Sequence, residues 1–230
     1  RMFRPSKSCR VDLMKTYICE FLGTFFLVFA GTGSIIANDS LGGTIGHVGI
    51  ALSFGLVVMA VIYAIGDTSG AHINPAVTIG FFLIRRLNGY DMVLYILFQC
   101  AGAIVASYML AVIFPVHELL GGTFPHISLF GAFLYEFLLT FFLMFVILSV
   151  ATGSKEKGLM AGLAIGGTVA LEALFAGPVT GASMNPARSL GPAFISGQWD
   201  VMWLYFLAPI LGAASAIPAC KYLHINCCNA

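Results

Sequence analysis

The sequence predicts an all-α membrane protein: six transmembrane helices and two re-entrant half-helices, arranged as an inverted repeat. Three observations carry this. The 230 residues are 59% hydrophobic and only 9% charged, where a soluble domain is nearer a quarter charged. The triplet Asn-Pro-Ala occurs twice, at Asn74-Pro75-Ala76 and Asn185-Pro186-Ala187. A third stretch also recurs: Glu20-Phe21-Leu22-Gly23-Thr24-Phe25-Phe26 matches Glu136-Phe137-Leu138-Leu139-Thr140-Phe141-Phe142.

The elements follow in order. A basic tail (Arg1, Arg4, Lys7, Arg10, Lys15) precedes a first span over Leu13 to Ala37. The loop Asn38 to Gly46 leads to a second span, His47 to Ile65. The first triplet then opens a short apolar run, Ala76 to Ile84, which stops at Arg85-Arg86. At ~1.5 Å per residue that run is too short to cross ~30 Å of hydrocarbon. A third span covers Asp91 to Phe114, a loop Pro115 to Ser128, and a fourth span Leu129 to Ala151. Past the polar connector Ser154 to Gly158 come a fifth span (Leu159 to Ala176), the second triplet with its short run Ala187 to Ile195, and a last span, Val201 to Leu223. The first apolar run is long enough to span, so it reads as a helix and not as a cleaved leader.

Each triplet is a helix start. Asn is a strong N-cap and Pro fits the first helical position. Irregular backbone at membrane depth is tolerated only inside protein or against a watery cavity. Two half-helices entering from opposite faces together cover one membrane thickness, with Asn74 and Asn185 near the midplane and two positive helix ends meeting there.

The offsets between the repeated features are 116 positions for Glu20 and Glu136 and 111 for Asn74 and Asn185. Residues 1–230 thus form one transmembrane domain with a first repeat over 13–114 and a second over 129–223. Three spans per half make the second half enter upside down. Ten of the eleven Lys and Arg residues fall on one side of this topology, which the positive-inside rule makes cytoplasmic, together with both termini. The exception is Arg188.

An arginine inside the hydrocarbon zone is costly and marks a pathway, unless it snorkels to the outer headgroups. Glu20 and Glu136 are equivalent deep acids, suited to accept backbone N–H groups of the irregular loops and fix their shape. His72 is either a pore-liner or a packed polar anchor. Glu172 has no counterpart and faces a neighbouring subunit, a water pocket or the pore. The six cysteines have no metal-ligand spacing and read as small hydrophobes without a disulfide framework; Cys227-Cys228 is either lipidated or an accidental pair. There is no nucleophile–base constellation, phosphate loop or metal cluster, so the sequence calls for no enzyme activity, cofactor or metal, and its net charge of +1 argues no nucleic-acid partner.

These residues resemble the aquaporin (major intrinsic protein) family over nearly the whole chain: two Asn-Pro-Ala boxes, Arg188 after the second, a Glu in the first span of each half, and six spans. The resemblance implies homotetramers in a cell membrane, surrounded by lipid, each subunit with its own pore. Asn74 and Asn185 would donate to a passing molecule, and the carbonyls of Gly70, Ala71, His72, Gly181, Ala182 and Ser183 would line the two half-pores. The filter would use Phe54, Ala173, Ala182 and Arg188. Strict water channels usually carry His where this chain has Ala173. Glycerol channels usually carry two aromatics and an Asp after the Arg, where this chain has one aromatic and Ser189. The stretch Gly177 to Ala193 looks closest to nodulin-26-like members and their bacterial relatives.

The resemblance therefore implies a passive channel for water and small uncharged solutes, such as glycerol or metalloid hydroxides, that excludes protons and ions. A strict water-only channel is the nearest alternative. A secondary transporter would need a coupling-ion site, and a junctional protein more exposed loop than this chain has.

Overall fold

The computed structural model describes residues 7–151 and 159–223, with the backbone alone for residues 7–12. The tail ahead of Lys7, the connector with Lys155 and Lys157, and Cys227-Cys228 lie outside the described residues. Eight helices make up the described chain: α1 (Lys7–Ser40), α2 (Gly46–Ser69), α3 (Pro75–Leu83), α4 (Gly89–Ile113), α5 (Leu129–Ala151), α6 (Ala161–Thr180), α7 (Pro186–Ser196) and α8 (Met202–Leu223). Six of them are long and apolar enough to cross a membrane; α3 and α7 are not. The outer faces of the long helices are studded with exposed Leu, Phe and Val, among them Phe26, Leu97, Val112 and Leu207. Such a surface is stable only against lipid.

Three helices run further than the apolar pattern indicates. α1 extends at both ends, to Lys7 and Ser40. α2 and α6 each continue past the apolar run to Ser69 and Thr180, where Gly70 (φ 83°) and Gly181 (φ 84°) take the left-handed capping position. Their N–H groups close the last turns on the Gly66 and Gly177 carbonyls. Pro178 lies inside that last turn of α6. It has no N–H to offer the Leu174 carbonyl. His47, at the start of α2, donates to that carbonyl from Nε2 at 2.6 Å instead.

The two halves are packed alike. α1 lies on α4, and α5 lies on α8. At both crossings a glycine lets backbones touch: a Cβ on Gly102 would sit 2.3 Å from the Phe21 carbonyl oxygen, and one on Gly212 2.3 Å from that of Phe137. Where α2 and α6 cross between the halves, a Cβ on Gly55 would sit 2.5 Å from the Gly166 carbonyl oxygen, and one on Gly166 2.6 Å from that of Gly55. Small residues at such crossings are how membrane helices gain close packing without a hydrophobic driving force.

Cys19 and Cys100 are free thiols. Cys220, at the end of α8, departs from the small-hydrophobe expectation in being disulfide-bonded.

A candidate pore and its two cradles

α3 and α7 begin as the triplets predict. Asn74 and Asn185 are extended N-caps with proline at the first helical position. The Asn74 Oδ1 accepts from Ala76 N at 2.9 Å, and the Asn185 Oδ1 accepts from Ala187 N at 3.0 Å. The amide nitrogens then tie the halves together reciprocally. Asn74 Nδ2 donates to the Met184 carbonyl, and Asn185 Nδ2 donates to the Ile73 carbonyl, both at 2.8 Å. A carboxamide has two N–H donors, so each asparagine keeps one more.

The runs that feed these caps are strained. Ala71 (φ 47°), Ile73 (φ 45°), Ala182 (φ 41°) and Met184 (φ 54°) all occupy left-handed backbone. A non-glycine there costs of order 1–3 kcal/mol and persists only when its surroundings dictate it. Two buried carboxylates supply that constraint. Glu20, on α1, accepts from His72 N at 3.0 Å, Ile73 N at 2.7 Å and Gln99 Nε2 at 2.8 Å. Glu136, on α5, accepts from Thr180 Oγ1 at 2.7 Å and from Ser183 N and Met184 N, each at 2.9 Å. Charge-assisted acceptance of backbone N–H groups in a dry interior is worth more than a neutral bond.

A cavity of ≈ 410 Å³ runs past both asparagines. Gly70, Ala71, His72 and Ile73 border it in one half, and Ala182, Ser183 and Met184 in the other. Gly181, expected to line it, does not border it. It is the α6 cap, packed so that a Cβ would meet Thr123 at 3.0 Å. Pro75, Ala76, Pro186 and Ala187 are buried as the first residues of the half-helices and likewise stand back from the cavity.

Phe54, Ala173, Ala182 and Arg188 all border the cavity. The Arg188 guanidinium lies 5.1 Å from the Phe54 ring centre, and its Nη1 donates to the Gly121 carbonyl at 2.9 Å. His72 borders the cavity and is also anchored: its ring stacks on Phe81 at 4.5 Å, with Nδ1 3.2 Å from Thr78 Oγ1. Glu172 does not border the cavity; both its carboxyl oxygens are buried with no hydrogen-bond partner among the described residues.

Two contributors escape sequence reasoning. Gly31 carries no motif, yet a Cβ there would lie 2.2 Å from Cε1 of Phe54, so the glycine makes the space that the ring fills. The loop after α4 reads as a connector without Lys or Arg, yet it folds inward. Gly121 holds Arg188, Thr123 donates to Ser189 Oγ at 2.8 Å, and His126 N donates to the Val179 carbonyl. The absence of Lys and Arg from this loop is the one available signal, and it reports membrane side and not contact.

The chain's relatives agree with this geometry. The family model for major intrinsic proteins matches residues 7–219. Nodulin-26 of Glycine max is 46% identical over 211 residues, covering 91% of this chain and 78% of that protein. Aquaporin NIP1-1 of Oryza sativa subsp. japonica is 45% identical over 206 residues, covering 89% of this chain and 72% of its own. Among solved structures, the aquaglyceroporin from Plasmodium falciparum superposes with a TM-score of 0.82 at 28% identity, over 95% of this chain and all of that one. With six apolar crossings, two half-helices joined end to end by their asparagines, and a cavity threading between them, the chain belongs to the major intrinsic protein family and is a membrane channel, not an enzyme.

Proposed function

We propose that this chain is a passive pore for water and small uncharged solutes such as glycerol and metalloid hydroxides, closed to protons and ions. The observation that carries the reading is the single cavity that passes His72, both asparagines and Arg188 in one sweep. Strained carbonyls and the spare asparagine N–H groups offer hydrogen bonds along one wall. Val58, Leu143, Ile147 and Val169 line the other. A solute that exchanges water partners for these groups meets low barriers, and one that needs a full hydration shell does not. The positive ends of α3 and α7 and the Arg188 guanidinium repel cations, while central donors orient waters oppositely in the two halves.

The filter in this reading is Phe54, Ala173, Ala182 and Arg188. Two alanines opposite one aromatic favour the wider solute range over a water-only pore. Nodulin-26 and the aquaglyceroporin are the relatives that support it. In the same reading Glu20 and Glu136 brace the pore loops, the repeats are 13–114 and 129–223, and the assembly is a homotetramer in a cell membrane with both termini cytoplasmic. Proteoliposomes should swell in glycerol as well as respond to an impermeant osmolyte. Fast water flux with glycerol entering at the rate of empty vesicles would overturn the wide filter in favour of a strict water channel.

A further inference from the structure

The basic end of α3 is built differently from the matching end of α7. From Asn74 to Arg85 is eleven residues of mostly helical rise, about 16 Å, which brings Arg85 and Arg86 from mid-membrane to the depth where hydrocarbon gives way to headgroups. There α3 closes in a Schellman turn: Arg86 N donates to the Phe81 carbonyl and Arg85 N to that of Phe82. The residue in the left-handed position is Arg85, at φ 63°. α7 ends with Gly197 at that position (φ 75°), and Gln198 follows it. Glycine takes this conformation without strain and arginine does not. Charge of the right sign for membrane orientation could sit anywhere in the loop, so orientation does not explain an arginine in the strained place.

The surroundings do. Arg85 and Arg86 are exposed and make no hydrogen bond or ion pair from their side chains with the described residues. The nearby carboxylate of Asp91 is already engaged, by the Tyr17 hydroxyl and by Asn88 Nδ2, each at 2.6 Å. The two arginines flank a shallow cleft whose other walls are Phe82, Leu83, Leu87 and Asn88, with Phe82 and Leu83 exposed. α3 itself lies against α4 and α8, both of which carry exposed apolar side chains. Two unpaired forks above an apolar floor at headgroup depth match a phosphate with acyl chains attached. A free phosphate would gain nothing from Phe82 and Leu83.

We infer that Arg85 and Arg86 clamp the headgroup of an acidic phospholipid at the end of the first half-helix. The inference needs only the membrane reading and holds whatever solute the pore passes. The test is thermal unfolding of the detergent-solubilised full chain, titrated with phosphatidate, phosphatidylcholine or inorganic phosphate. Phosphatidate should raise the midpoint, and the other two should not. The variant Arg85→Gly/Arg86→Gln relieves the strained turn, so it should be at least as stable without lipid, yet bind phosphatidate roughly tenfold or more weakly. An equal response to phosphatidylcholine removes the headgroup from the argument. An equal response to inorganic phosphate makes the ligand a soluble anion. An unchanged phosphatidate response in the double variant places binding elsewhere. Any of these overturns the inference, and the wild-type titrations alone can do so if the variant fails to fold.

Discussion

The two ends of the pore are lined by equivalent positions with different chemistry. The offset of 111 positions that relates Asn74 to Asn185 also relates Ile165 to Phe54, Ile62 to Ala173, Ala71 to Ala182 and Val77 to Arg188. All eight residues border the cavity. One ring therefore holds an aromatic, two alanines and a guanidinium, and its mirror holds only aliphatic side chains. The backbone beneath them is the same in both halves, down to the left-handed pairs Ala71 and Ile73 against Ala182 and Met184. The supporting side chains have also diverged. Hydroxyls recur at equivalent places, Ser69 with Thr180 and Thr78 with Ser189, but Gln99 joins Glu20 and His72 in the first cradle only, and Ser183 and the inward loop belong to the second. The strained loop is what the duplicated architecture preserves, and an aromatic and a guanidinium are added to one copy of it.

The largest expected effect tests whether the cradles are equivalent. Glu20→Gln and Glu136→Gln each set an amide donor against backbone N–H donors, at about 1–3 kcal/mol for each group left unsatisfied. Both variants should lose folded protein to a similar degree, read as a fall in the thermal midpoint in detergent. If one is tolerated and the other is not, the two halves are not held by the same device. Among proteins that do fold, only Glu136→Gln should also change the glycerol-to-water flux ratio, because only its loop carries Ala182 and leads to Arg188.

Arg188→Val makes the two rings alike at that one position. It removes the only cation from the cavity lining between the asparagines and the Phe54 end of the pore, and leaves the Gly121 carbonyl without its partner. Proton or small-cation leak into proteoliposomes should rise by at least about tenfold, equivalent to ~1.4 kcal/mol off the barrier. A leak equal to wild type would assign exclusion to the half-helix ends and asparagines alone. The mirror change, Val77→Ala, should leave exclusion intact.

This comparison also explains what a reader of the sequence can and cannot see. Asn74, Asn185, Glu20, Glu136 and Arg188 are legible because their chemistry is local or costly. A cap works on its own helix, and a charge in hydrocarbon demands a reason. The duplicated phrases then give the topology. Gly31 and Gly121 are not legible, because their contributions are the space for Phe54 and a carbonyl for Arg188, each supplied across a long stretch of chain. Glu172 was legible as a deep acid, and the structure places it away from the cavity, within the helix packing.

The smallest effect concerns the turns just before the two loops. At the position of Pro178 in α6, α2 carries Asp67, which keeps its N–H. Only the α6 turn has an orphaned carbonyl, at Leu174, and only there does a distant side chain, His47, take it up. His47→Ala should therefore lower stability by about 1 kcal/mol, the net worth of one such bond. Pro178→Ala restores an N–H within reach of that carbonyl and makes His47 redundant. In the Pro178→Ala background the His47→Ala change should cost nothing measurable, so the double-mutant cycle should show a coupling close to the whole single-mutant effect. Additive costs would mean that His47 holds α2 to α6 by packing against Gly177, where its ring lies 2.8 Å from a would-be Cβ, and that the proline is incidental.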